Sequence, residues 1–150
     1  MLRGDAAKLA DLPADAVNLH ITESIGRLET FVTAGAPSRD NLAPSGAGLE
    51  LVADTHPNDV YAGEAATFGF LIDGRPAAGL TVSVIPGGTR YRDTQAELTL
   101  VTDTEGRITI TWPGPGLYFL EAETEDDKVS HPRAEKRRLQ YLATFEVLPL

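Results

Sequence analysis

The stretch Leu98-Thr99-Leu100-Val101-Thr102-Asp103-Thr104-Glu105-Gly106-Arg107-Ile108-Thr109-Ile110-Thr111-Trp112 alternates apolar and polar side chains, breaks at a Thr-Asp-Thr-Glu-Gly turn, and then alternates again. A period of two places successive side chains on opposite faces of a strand, so the stretch reads as strand, turn, strand, and predicts a β-hairpin. After Pro113-Gly114-Pro115-Gly116 the alternation resumes, with Tyr118, Leu120, Ala122 and Thr124 on one face and Glu121, Glu123 and Glu125 on the other. A third strand therefore follows the hairpin.

Working outward, the same period marks strands at 27–33, 49–53, 67–72, 80–85 and 139–148, separated by turn signals such as Asp73-Gly74 and Pro86-Gly87-Gly88. Glycine and proline interrupt every later window long enough to hold a helix. The expected fold is all-β: an antiparallel β-sandwich, Ig-like or prealbumin-like, of seven to eight strands. Strand parity predicts a core of Phe68, Phe70, Val82, Val84, Leu100, Ile108, Ile110, Trp112, Tyr118, Leu120, Tyr141, Phe145 and Val147. In the 27–33 strand, Leu28, Thr30 and Val32 share the more apolar face. Residues 1–22 read differently, as an N-terminal tail or the remnant of a preceding domain. There Asp5 is placed to cap a short helix that Pro13 stops. Residues 23–150 form the single sandwich domain.

The chain has 150 residues, no cysteine and a formal charge of −9. Disulfides, thiol nucleophiles and cysteine-held zinc are thereby excluded. The acidic balance argues against a nucleic-acid partner, which requires a basic face that releases counterions. No apolar run reaches the length of a membrane span, and the first residues do not open a signal peptide. No nucleophile elbow, phosphate-binding loop, zinc-protease motif or dinucleotide fingerprint occurs, so neither catalytic residues nor cofactor-binding residues are assigned, and no enzymatic activity is expected. Asp103-Thr104-Glu105-Gly106 lacks the frame of a calcium loop.

Two groups of side chains carry what chemistry there is. Thr55-His56-Pro57-Asn58-Asp59 puts an imidazole and a carboxylate on one loop stiffened by Pro57, making His56 and Asp59 the candidate metal ligands for a divalent transition ion such as nickel or cobalt. The competing reading is an Asx-turn, with His56 bonded to the loop backbone. His131 belongs to a polar loop, and His20 to the N-terminal approach. Among cations, Arg90, Arg92, Arg137 and Arg138 are candidate contacts for an anion or a partner. Arg137 and Arg138 also have a simpler use, as cross-strand partners for the acidic run that ends at Asp127.

Asp73-Gly74-Arg75-Pro76-Ala77-Ala78-Gly79-Leu80-Thr81-Val82, with Thr102-Asp103, Gly106-Arg107 and Pro115-Gly116-Leu117-Tyr118, resembles transthyretin-like and carboxypeptidase-regulatory-like sandwich modules. Adding residues 55–64, Pro86 to Arg92, Thr111-Trp112-Pro113 and Arg137-Arg138, the chain from Arg27 onward looks like the bacterial domain-of-unknown-function family 4198, often labelled a periplasmic component associated with nickel or cobalt uptake. The resemblance implies a non-enzymatic, exported, periplasmic accessory or binding module. Its partners would be a missing N-terminal half of the same protein or another envelope protein. The alternative is a structural protein-protein interaction module with no metal role. The hydroxyisourate hydrolases of the transthyretin-like group end in a Tyr-Arg-Gly-Ser type tetrapeptide, whereas this chain ends Val147-Leu148-Pro149-Leu150. The tyrosine and histidine spacing of the intradiol dioxygenases is also absent.

Overall fold

Apolar alternation turns into nine strands in the computed structural model, which describes residues 6–13 and 15–150. They are β1 (Thr22–Thr30), β2 (Leu49–Ala53), β3 (Ala65–Ile72), β4 (Arg75–Pro76), β5 (Thr81–Pro86), β6 (Leu98–Val101), β7 (Arg107–Thr111), β8 (Gly116–Asp126) and β9 (Lys136–Val147). Eight correspond to expected strands. The ninth, β4, is the two-residue return from Asp73-Gly74, whose positive φ values (50° and 75°) suit a tight hairpin turn. Before β1, Ala6–Asp11 forms a 3₁₀ helix; the expected Asp5 cap lies outside the described residues.

Two sheets enclose one core. The larger runs β1-β9-β8-β5-β6; in the smaller, β3 carries β2 on one edge and both β4 and β7 on the other. The sandwich is therefore confirmed, with three corrections of detail. The first concerns the hairpin: β6 pairs only with β5 and β7 only with β3, so the two strands belong to opposite sheets. The turn between them is closed as expected, Gly106 N–H donating to Asp103 O at 3.0 Å and Asp103 N–H to Arg107 O at 2.9 Å. Beyond it the strands diverge. Leu80 N–H donates to Thr102 Oγ1 (2.8 Å) on one side, and Phe70 N–H to Gly106 O (2.8 Å) on the other. Both inner faces meet the same core, so alternation does not reveal which strand pairs with which.

The second and third corrections concern β1. It begins and ends earlier than expected and pairs parallel with β9, from Thr22 with Lys136 to Thr30 with Thr144. Its parity is also opposite to that expected: Leu28 is 75% exposed, while Arg27 and Glu29 face inward. An edge strand whose inner face meets polar groups reverses the usual apolar-in rule, and the reason lies in the ion pairs described below.

All the expected core residues are buried except Leu100, which is half-buried. An aromatic chain fills the centre: Phe145 touches Phe31, Phe68 and Trp112 with ring centroids 5.2 to 5.7 Å apart, and Trp112 meets Tyr118 edge-on at 4.9 Å. Such side chains contribute about 1.5–3 kcal/mol each on burial. The Trp112 indole N–H has no oxygen or nitrogen partner within the core.

Candidate functional site

The loop at residues 55–59 follows β2 and packs against the connection from β1 to β2. His56 Nε2 lies 2.9 Å from Ser38 O, and Asn58 N–H donates to His56 Nδ1 at 3.1 Å. A ring that accepts at Nδ1 carries its proton on Nε2, so the two bonds define one neutral tautomer. Neither nitrogen is free. The Asn58 carboxamide, oriented to satisfy both its ends, donates to Phe31 O (3.1 Å) and accepts from Thr33 N–H (3.2 Å). Asp59 N–H closes a turn on His56 O at 2.9 Å, while the Asp59 side chain is exposed. The loop is thus a clamp on residues 31–38. As arranged, these residues do not fit a metal: ligation at His56 requires giving up a bond to Ser38 or to Asn58. Among the described residues no three histidine, aspartate or glutamate side chains converge. His20 lies 3.0 Å from Glu135, and His131 Nδ1 accepts from Arg133 N–H.

Arg137 and Arg138 occupy adjacent positions on β9 and face opposite ways. Arg137 points inward, is 7% exposed, and reaches Asp73 Oδ2 at 2.7 Å and Asp126 Oδ2 at 2.6 Å. The Asp126 and Asp73 carboxylates push its pKa further up. In return, hydrogen bonds from Arg137 hold both carboxyls below the usual range, with Gly48 N–H assisting at Asp73. Arg138 points outward and pairs with Glu123. Lys136 meets Glu125 at 3.2 Å. These are the cross-strand partners that the acidic run and the basic run make in an antiparallel pair.

A second buried ion pair explains the polar inner face of β1. Glu50, 1% exposed, accepts from Ser45 N–H, Ser45 Oγ and Gly46 N–H, each at 2.7 Å, and meets Arg27 at 3.0 Å. Burial alone raises a carboxyl pKa, but these bonds and the Arg27 charge outweigh it, and Glu50 stays below its ordinary value. Arg27 also approaches Glu29, which accepts from the buried Tyr141 hydroxyl at 2.5 Å. Burial, then the Glu29 bond, pushes the Tyr141 pKa up. The sequence signal for this network was a lone glutamate between Leu49 and Leu51.

The remaining candidates, Arg90 and Arg92, sit in the loop between β5 and β6. Arg92 folds back and donates to the carbonyls of Pro86 (2.6 Å), Gln95 (3.1 Å), Thr94 (3.4 Å) and Gly87. Gly87 N–H bonds to Leu117 O at 2.6 Å; a side chain at Gly87 would stand 2.9 Å from that oxygen. Held from behind in this way, the loop presents Arg90 and Tyr91 to solvent, and Tyr91 is 85% exposed. An open cleft of about 360 Å³ lies beside it, bounded by Pro86 to Gly88, Arg92 and Pro115 to Tyr118. The outward face of the large sheet continues from there through Ile85 and Phe119 to a second hollow of about 450 Å³, lined by Ser83, Glu97, Glu121 and Glu123. Sequence reading picked out the arginines but not Tyr91, Leu117 or Glu121 as members of one surface.

Fold and surface together define a two-sheet β-sandwich module with an anchored loop at one rim. The chain belongs to the family described as Domain of unknown function (DUF4198), whose model matches residues 3–126. The match takes in the N-terminal segment ahead of Arg27 and ends before β9. No curated protein and no solved structure matches the chain. No helix among the described residues is long and apolar enough to cross a membrane.

Proposed function

We propose that this chain is a non-enzymatic protein-interaction module of an exported, periplasmic protein, and that it works through the outward face of the large sheet and the loop at 87–97. One observation carries the reading: Arg92 anchors that loop on four backbone carbonyls while Arg90 and Tyr91 are left in solvent. A rigid aromatic and an arginine side by side are the residue types that concentrate binding energy at protein interfaces, and a loop ordered beforehand loses little entropy on docking. The periplasmic location rests on the family resemblance. So does the partner class, either a further part of the same protein or another envelope protein. Immobilised protein incubated with an envelope extract tests it. Wild type retains a partner that Tyr91→Ala combined with Arg90→Ala does not; retention unchanged by both substitutions overturns the reading.

The nickel or cobalt connection is the second reading, favoured by the loop motif at 55–59 alone. The engagement of both His56 nitrogens counts against it at that position. Calorimetric titration of nickel into the protein separates the two. Binding no tighter than about millimolar is expected, a level at which only about 4 kcal/mol of interaction is involved. Tighter binding that His56→Ala abolishes would restore a metal role.

A further inference from the structure

β6 is the last strand of the five-stranded sheet and pairs with β5 alone. Thr102 N–H donates to Leu80 O at 2.9 Å, and in an antiparallel ladder the residues that bond to one neighbour alternate with those that face away from it. Leu98 and Leu100 therefore bond to β5, while the N–H and C=O groups of Thr99 and Val101 point away from the sheet and have no partner among the described residues. Asp103, the next residue of that set, confirms the direction: its N–H leaves β5 and closes on Arg107 O at 2.9 Å. The side chains agree. Leu98 and Leu100 face the core yet stay half-buried, and Val101, on the outward side, is 62% exposed. Neither proline nor a charged residue interrupts Leu98–Val101 to close the edge against further pairing.

A row of unpaired backbone donors and acceptors is the complement of one class of ligand, an extended peptide strand. A second copy of β6 is a poor occupant. The two-fold register that pairs Thr99 and Val101 with each other, about Leu100, sets Glu97 of each copy opposite Asp103 of the other, and like charges directly opposite destabilise a ladder. The same two carboxylates select a different strand. Glu97 and Asp103 stand exposed just beyond the two ends of β6, and neither forms an ion pair among the described residues, the Arg107 guanidinium being turned to Asp54 and Glu105. A strand with a cationic residue at each end and apolar residues over Leu98 and Leu100 matches all of these groups. We infer that β6 binds an extended segment of another polypeptide by strand addition, as a sixth strand of the large sheet, held by the backbone of Thr99 and Val101 and carrying basic residues opposite Glu97 and Asp103. The bonds come from β6 and not from the Arg90–Tyr91 tip, so the inference stands apart from the interaction reading above.

The probe is the peptide Lys-Val-Thr-Val-Thr-Val-Lys, acetylated and amidated at its ends, whose threonines pair with Thr99 and Val101 and whose valines cover Leu98 and Leu100. Titrated to about 2 mM into isotope-labelled protein, it should shift the Thr99 and Val101 amide resonances saturably, with half-saturation at or below about 1 mM, and slow their exchange with solvent. The same peptide N-methylated at both threonines lacks the two donors that face β6 and should bind at least about tenfold more weakly. Glu97→Lys, its fold checked by far-ultraviolet circular dichroism, should weaken binding of the unmodified peptide about threefold by setting like charges opposite each other. Strand addition is overturned by unshifted Thr99 and Val101 amides at about 2 mM peptide, by equal binding of the N-methylated peptide, or by shifts centred on Arg90 and Tyr91 instead. Thr99 and Val101 amides already protected without peptide, in a dimer that forms as protein concentration rises, would give the edge to a second copy and overturn it too.

Discussion

Replacing Arg137 with methionine keeps much of the side-chain volume and removes the charge from between Asp73 and Asp126. Taking one partner from a buried ion pair costs about 3–5 kcal/mol, because the charge left behind has lost both its water and its counterion. Here the two carboxylates keep 32% and 23% of their side-chain exposure, so solvent shares the load and the lower end applies, about 3 kcal/mol. With a urea dependence of about 2 kcal/mol per molar for a chain of this size, the unfolding midpoint should fall by about 1.5 M. The neighbouring Arg138→Met removes a solvent-exposed pair and should leave the midpoint within error. Acid supplies the second arm. Asp73 and Asp126 have folded pKa values below their unfolded ones, so their contribution is complete above about pH 4 and is lost as pH falls through the folded values. Wild-type stability should drop below pH 4, and the gap between wild type and Arg137→Met should narrow there as the stranded carboxylates take up protons. Equal midpoints for Arg137→Met and wild type at pH 7, or a gap that widens in acid, would refute the assignment.

Three further substitutions probe the turns and the edge strand. Glu50→Gln exchanges a carboxylate that accepts three protein bonds and an ion pair for an amide that meets donors with donors; it should cost about 2 kcal/mol and lower the melting temperature by about 5 °C. Gly106→Ala places a Cβ 2.6 Å from Phe70 O and 2.8 Å from Ala77 N at φ +75°, whereas Gly79→Ala has the same strained φ in open space. Urea unfolding should show about 1 kcal/mol for Gly79→Ala and at least about 3 kcal/mol for Gly106→Ala.

Most of the fold was legible in the residues because a strand half-buried in a sandwich writes its orientation into a period of two. Leu98, Leu100, Ile108, Ile110, Tyr118 and Leu120 announced both the strands and the side of each that meets the core. The turn at Thr102 to Gly106 was equally legible, since aspartate and glycine at those spacings close a tight turn wherever the flanking strands go. The cross-strand use of Arg137 and Arg138 followed from a basic run facing an acidic run across one antiparallel pair.

Pairing was not legible, and neither was the polar edge. Two strands that turn the same apolar face to the same core look alike whether they are hydrogen-bonded neighbours or lie on opposite sheets. Only Phe70 N–H on Gly106 O and the bonds around Thr102 decide that β6 and β7 part company. In β1 the apolar-in rule fails because Arg27 and Glu29 find buried partners, Glu50 and Tyr141, more than twenty residues away in the chain, and partners at that distance leave no local signature. The same limit governs function. His56 beside Asp59 reads as a ligand pair until Ser38 and Asn58 engage both ring nitrogens. Arg90 reads as one more surface cation until Arg92 ties its loop to the carbonyls of Pro86, Gly87, Thr94 and Gln95 and leaves Arg90 in solvent. Residue type and period, which act over a few positions, set the strands and their core faces; hydrogen-bond and charge partners, which act through space, decided what those strands are joined to and which side chains remain free to bind.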